Sequence, residues 1–152
     1  MKYIIKEVKD SLNYDELFDV YDALFNQVKK FFGEDKIVVT LTNDDTGEDY
    51  EYFLYLDYAD EDGVSFYING HDGVYLRKYF GWYRYEVRGS ALLTLNNLRL
   101  NSDTLSKEEL LDIISNLTKE KIFDGIYEAT IEAEMSDKID VDEYKDGPER
   151  DH

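Results

Sequence analysis

The sequence predicts an α+β fold, an antiparallel β-sheet meander packed against two amphipathic α-helices. Three observations carry the prediction. Two stretches, 14–32 and 106–119, place apolar residues at helical spacing behind capping motifs. Between them, from residue 37 to 88, the apolar period switches to two. The connections inside that stretch are too short for the crossovers that parallel strands need.

In chain order, residues 1–9 alternate weakly and read as a short strand. The first helix is well marked. Asn13 caps it, Glu16 completes a capping box, and Leu12 and Leu17 are placed as a hydrophobic staple. Leu17, Val20, Tyr21, Leu24, Val28 and Phe31 form its apolar face. Asp15 and Glu16 suit the positive end of the helix dipole, Lys29 and Lys30 the negative end, and Gly33 stops it. Ile37, Val39 and Leu41 alternate on one strand, and NDDTGED reads as a turn. Tyr50, Tyr52, Leu54, Leu56 and Tyr58 alternate on the next strand, which ADEDG closes. Val64, Phe66 and Ile68 mark a third strand, turned by NGHDG, and 74–80 and 82–88 read as further strands around Gly81. This spacing predicts about five or six strands.

Residues 90–100 are apolar but carry no clear period. Ser106 and Glu109 form a second capping box, with Leu105 and Leu110 as its staple, opening the helix 106–119. In 126–135, Tyr127, Ala129, Ile131, Ala133 and Met135 alternate with polar residues, which predicts a strand against a helix-forming composition. The domain is expected to span 1–135, and the acidic segment 136–152, with the only proline, Pro148, to be a disordered tail.

The bulk properties bound the function. With 152 residues and 43% hydrophobic content, the chain can bury a core without staples. It has no cysteine, so disulfides, thiolate metal sites and cysteine nucleophiles are excluded. The apolar run in MKYIIKEVKD is too short for a signal-peptide core, and Glu7 and Asp10 follow at once. No stretch approaches the roughly 20 apolar residues of a membrane span. A cytoplasmic protein is expected.

The net charge of −18 argues against direct contact with nucleic acid or anionic lipid and favours a basic protein partner. Fourteen tyrosines beside 35 acids supply the amphipathic contact area that interfaces use. The charge is blocked. From Ile37 to Leu76 there is no lysine or arginine, but Asp44, Asp45, Glu48, Asp49, Glu51, Asp57, Asp60, Glu61, Asp62 and Asp72. Arg77, Lys78, Arg84, Arg88 and Arg99 then reverse the sign, either as an internal counter-patch or as a second contact surface. The acids of 44–49 and 57–62 fall in turns at opposite ends of the meander. Parity places Glu51 and Asp57 on the strand face that carries Phe53 and Tyr55. Asp15, Asp19 and Asp22 add an acidic stripe to the first helix. Trp82 and Tyr83 sit in the densest aromatic run, Tyr79 to Tyr85, and are candidate interface anchors.

Catalytic constellations are missing from the sequence. His71 and His152 are the only histidines, and there is no phosphate-binding glycine loop or nucleophile elbow. Calcium loops aligned on Gly47 or Gly63 put Phe53 or Asn69 where the bidentate glutamate belongs. No cofactor or metal is expected, and no enzymatic activity. The excess charge exceeds what solubility needs, about 2–8 in magnitude. Nucleic-acid mimicry would account for it, because a rigid acidic surface can occupy a lysine and arginine array.

In size, charge, lack of cysteine and aromatic content the chain resembles anti-CRISPR proteins as a class, a resemblance that no motif carries. It implies a phage or mobile-element inhibitor that obstructs a nuclease. Two alternatives stand beside it: an immunity protein that neutralises a bacterial toxin, and a small hydrolase or carbohydrate-binding protein.

Overall fold

The computed structural model describes residues 12–45, 47–70, 74–76 and 81–145, with 74–76, 81–84 and 143–145 described by their backbone alone. The expected strand 1–9 and His71 lie outside the described residues. The order is α1 (Tyr14–Phe32), β1 (Ile37–Thr42), β2 (Asp49–Asp60), β3 (Gly63–Gly70), β4 (Val74–Leu76), β5 (Gly81–Leu93), a 3-10 turn (Leu95–Leu98), α2 (Lys107–Ser115), α3 (Lys119–Met135) and β6 (Ile139–Lys145). The fold is α+β, with all strand pairings antiparallel.

The helix α1 forms where its signals put it. The Asn13 side chain accepts from the Glu16 N–H at 2.8 Å, and Glu16 accepts from the Asn13 N–H at 3.3 Å. Val20, Tyr21, Leu24 and Val28 are its buried positions, and Gly33 ends it at φ 65°, a conformation that favours glycine. In α2, Ser106 and Glu109 make the second capping box.

β1, β2 and β3 form the expected meander, and all helix packing falls on one face of the sheet. There Val39, Tyr52, Leu54, Phe66, Ile68 and Leu93 are buried against Leu24, Leu110, Ile122 and Ile126. Burial of this kind stabilises by about 1.5–3 kcal/mol per large apolar side chain.

Five expectations need correction. First, NGHDG does not reverse the chain. Val64 pairs with Leu93 and Val74 with Tyr83, ten residues on in one strand and ten residues back in the other. β3 and β4 therefore lie along one edge of β5 in a single register, and the reversal falls between Leu76 and Gly81, which face each other. Gly81 is accordingly a strand end; of the strand expected at 74–80, residues 74–76 form β4 and 77–80 lie outside the described residues. Gly70 sits where β3 closes on β5, and a Cβ there would overlap the Val87 backbone nitrogen.

Second, residues 119–135 form one helix, not a strand over 126–135. Thr118 caps it, accepting from the Lys121 N–H at 3.2 Å, and Ile122, Ile126, Ala129 and Ala133 are buried at helical spacing. The period-two reading began at residue 126 and so missed both the cap and Ile122. It also placed Met135 in line with buried alanines, although Met135 is 81% exposed. Among the described residues there are three α-helices rather than two.

Third, part of the expected disordered tail is structured. β6 pairs with the free edge of β5, from Gly89↔Ile139 to Tyr83↔Lys145. Ile139 is buried and Val141 packs on the core, which anchors a segment otherwise read as acidic surface. Residues 146–152 lie outside the described residues. Fourth, Tyr58 is not in the core. The register shifts between Leu56 and Tyr58, and this bulge turns Tyr58 to the opposite face, where it is 53% exposed.

Fifth, the second helix stops at Ser115, four residues short of the expected end at 119. Residues 90–100 resolve as the end of β5 and the 3-10 turn. The turn is pinned by the Leu95 N–H donating to the buried Tyr21 hydroxyl at 3.2 Å.

Candidate protein-binding site

The alternation that buries one face of the sheet leaves the other without a helix among the described residues. Its geometry follows from the registers. One row across the sheet runs Val38, Phe53, Asn69, Arg88, Asp140. A neighbouring row runs Tyr55, Tyr67, Ser90. On the other side, Thr40 faces Glu51 and Glu86 faces Asp142. The result is an aromatic strip bordered by carboxylates.

Tyr55 and Tyr67 stack at 5.0 Å between ring centroids with 14° between planes. The Lys36 ammonium lies 4.0 Å from the Phe53 ring centroid, a cation–π contact made on the surface of the protein itself. Val38 and Tyr67 remain 40% and 44% exposed. A centre of aromatic rings with a polar rim is the usual anatomy of a protein-binding patch.

The acids singled out from the sequence divide into groups. Asp44 and Asp45 are exposed in the β1–β2 turn, where the Asp45 N–H donates to Asn43 Oδ1 at 2.9 Å. Asp49 is exposed beside it and accepts from the Thr42 hydroxyl at 2.6 Å. Glu48 is different: it is only 9% exposed, and its carbonyl accepts from the Asn43 N–H at 2.8 Å. It acts in the turn's structure, and a partner cannot reach it as it can Asp44. Glu51 stands exposed on the open face, and Asp57 is exposed at the bulge.

Asp60, Glu61 and Asp62 form the β2–β3 turn. Asp60 Oδ1 accepts from the Asp62 N–H at 2.8 Å and the Gly63 N–H at 3.3 Å. Carboxylate oxygens of these three residues lie within 4.8 Å of one another, close enough to share a hard cation. The two backbone donors already account for the orientation of Asp60 without one. β2 spans 12 residues and so holds the two acidic turns at its opposite ends, at most about 40 Å apart along the strand at the usual rise of about 3.3 Å per residue.

Trp82 and Tyr83 belong to β5, opposite Tyr75 and Val74. Their side chains lie outside the described residues. Arg88 sits 3.7 Å from Glu86 and Arg99 2.7 Å from Glu128, so these two arginines of the basic segment have partners within the chain. On α1, Asp19 of the acidic stripe accepts from Lys107 Nζ at 2.7 Å. Water and salt screen such exposed pairs, so they contribute little to stability.

Sequence reasoning missed Tyr67, Val38 and Lys36. For Tyr67 the signal was available. Val64, Phe66 and Ile68 point inward, so parity sends Tyr67 outward, and a hairpin joins it to Tyr55.

Among the described residues, no helix is long and apolar enough to cross a membrane. No known protein family, curated protein or solved structure matches the chain.

Proposed function

We propose that the chain is a non-catalytic acidic inhibitor that binds a basic, nucleic-acid-binding surface of another protein through its open sheet face. The observation that carries this reading is the aromatic strip of Phe53, Tyr55 and Tyr67, rimmed by exposed carboxylates on a face that no helix covers among the described residues. A rigid sheet holds charges at fixed spacing, which is what competition with a phosphate backbone requires. The net charge of −18 excludes nothing about catalysis by itself, but it favours basic protein partners and opposes nucleic acid. The sharpest form of the proposal is a phage or mobile-element anti-defence protein that obstructs a nuclease channel.

The test is retention of a partner on the immobilised protein, with competing duplex DNA or guide-type RNA, beside a Glu51→Lys, Asp57→Lys variant. A nucleic-acid-binding protein should be retained, displaced by the competitor, and lost with the variant. Retention that ignores both competitor and variant would reject mimicry by this face and favour an immunity protein acting elsewhere.

A further inference from the structure

β1 begins at Ile37, opposite Leu54, so the described residues place no strand beside Tyr55–Asp60 on that edge of β2. The chain leaving α1 at Gly33 passes this gap. Between the end of α1 and the unpaired edge lies a cleft of about 390 Å³. Tyr55 and Tyr67 form one wall, Phe25 and Lys29 the helix side, and Glu34 and Asp57 the charged rim.

We infer that this cleft is the anchor pocket for an arginine side chain of the partner. The inference rests on the functional reading above and specifies its contact. Three features of the cleft converge on a planar cation. The stacked tyrosine pair offers a flat π surface, on which a guanidinium stacks better than an ammonium. Glu34, in the turn after α1, and Asp57, on β2, both line the cleft, so a forked donor can serve both, and together they outweigh the single charge of Lys29. Among the described residues no strand pairs with Tyr55–Asp60 on that edge of β2, which leaves room for a partner side chain to enter beside it. Lys36 on Phe53, one row away, already shows a cation held on a ring of this face. Neither carboxylate is tied into a turn as Asp60 is, and both are exposed, so they can reorient onto a ligand.

The experiment uses the full chain and two small probes, N-acetylarginine amide and its uncharged isostere N-acetylcitrulline amide. Binding is followed by the aromatic resonances of Tyr55 and Tyr67 and the amides of Glu34 and Asp57. The arginine probe should give saturable shifts at these positions and the citrulline probe none. Glu34→Gln or Asp57→Asn, both at exposed positions, should each weaken binding by about 3- to 10-fold. Equal shifts from the citrulline probe, or arginine binding unchanged in the double variant, would overturn the pocket. A partner retained and displaced by DNA, without any response to the arginine probe, overturns the pocket and leaves the functional reading standing. Arginine binding without a retained partner does the reverse.

Discussion

Replacing Tyr52 with phenylalanine isolates one bond that ties the last turn of α3 to the centre of the sheet. Tyr52 is fully buried, and its hydroxyl donates to Glu134 Oε2 at 2.8 Å, across 82 residues of sequence. Burial and the adjacent carboxylate push the Tyr52 hydroxyl far above the usual phenol range, so it is a protonated donor at neutral pH. Phenylalanine keeps the ring and its packing, so no cavity opens and the change removes only the donor. A hydrogen bond to a charged acceptor contributes about 1.5–3 kcal/mol. Glu134 is exposed and lines a cleft of about 170 Å³ beside Tyr50 and Tyr52, so water can replace the lost donor. That brings the expected cost to about 1–2 kcal/mol, or about 3–8 °C in Tm for a domain of this size. Urea unfolding followed by far-UV circular dichroism measures it, with the slope unchanged. A double-mutant cycle with Glu134→Ala should give a coupling of about 1 kcal/mol; a coupling below about 0.3 kcal/mol would refute the bond as a stabilising tie.

Other perturbations separate the remaining forces. Gly70→Ala should destabilise by more than about 2 kcal/mol in urea titrations, because its Cβ meets backbone rather than a movable side chain. Self-repulsion at −18 predicts that Tm rises as sodium chloride goes from about 10 mM to about 500 mM, where the screening length falls from about 30 Å to a few ångströms. Hydrogen bonds from Arg99, then from Asn97, hold the Glu128 carboxyl below its usual range. A lowered folded value means stability present above the unfolded pKa and lost as pH falls through the folded one. Relief of global repulsion runs the other way in acid. The local effect therefore appears as a difference: between about pH 5 and pH 3 the wild type should lose more stability than Arg99→Met, and parallel pH curves would refute it. Tyr67→Ala should leave the fold intact in circular dichroism, while its affinity for a retained partner falls by about 2 kcal/mol or more if the strip is a hot spot.

What could be read in the sequence follows from how local each signal is. The caps Asn13 and Ser106 act within one turn, so α1 and the start of α2 were legible. Alternation in β1–β3 is equally local, and it gave the open face and its acids. The bulge at Asp57 was hidden because Tyr58 continues the alternation in residue type, although the backbone does not. α3 was misread because its alternating alanines and glutamates satisfy both periods, and only Ile122 and the Thr118 cap decide between them. β6 depends wholly on a partner strand 50 or more residues earlier, so nothing in its own acidic composition marks it. The cleft at Tyr55 arises where one strand ends and its neighbour continues, a fact of register that no single segment contains.

The pairing of β6 bears on the order in which the molecule can be completed. β5 is bordered by β3 and β4 on one side, but among the described residues its other edge is filled by β6, a strand synthesised after α2 and α3. A nascent chain therefore carries a long strand with one bare edge while the rest of the sheet is already assembled, the condition in which strands recruit other chains. Arg88 on that edge then acts as a gatekeeper against self-association. The opposite charges at Arg88↔Asp140 favour β6 over another copy of β5 when β6 arrives. Truncation before Ile139 should accordingly yield a chain that aggregates during expression rather than a smaller soluble domain.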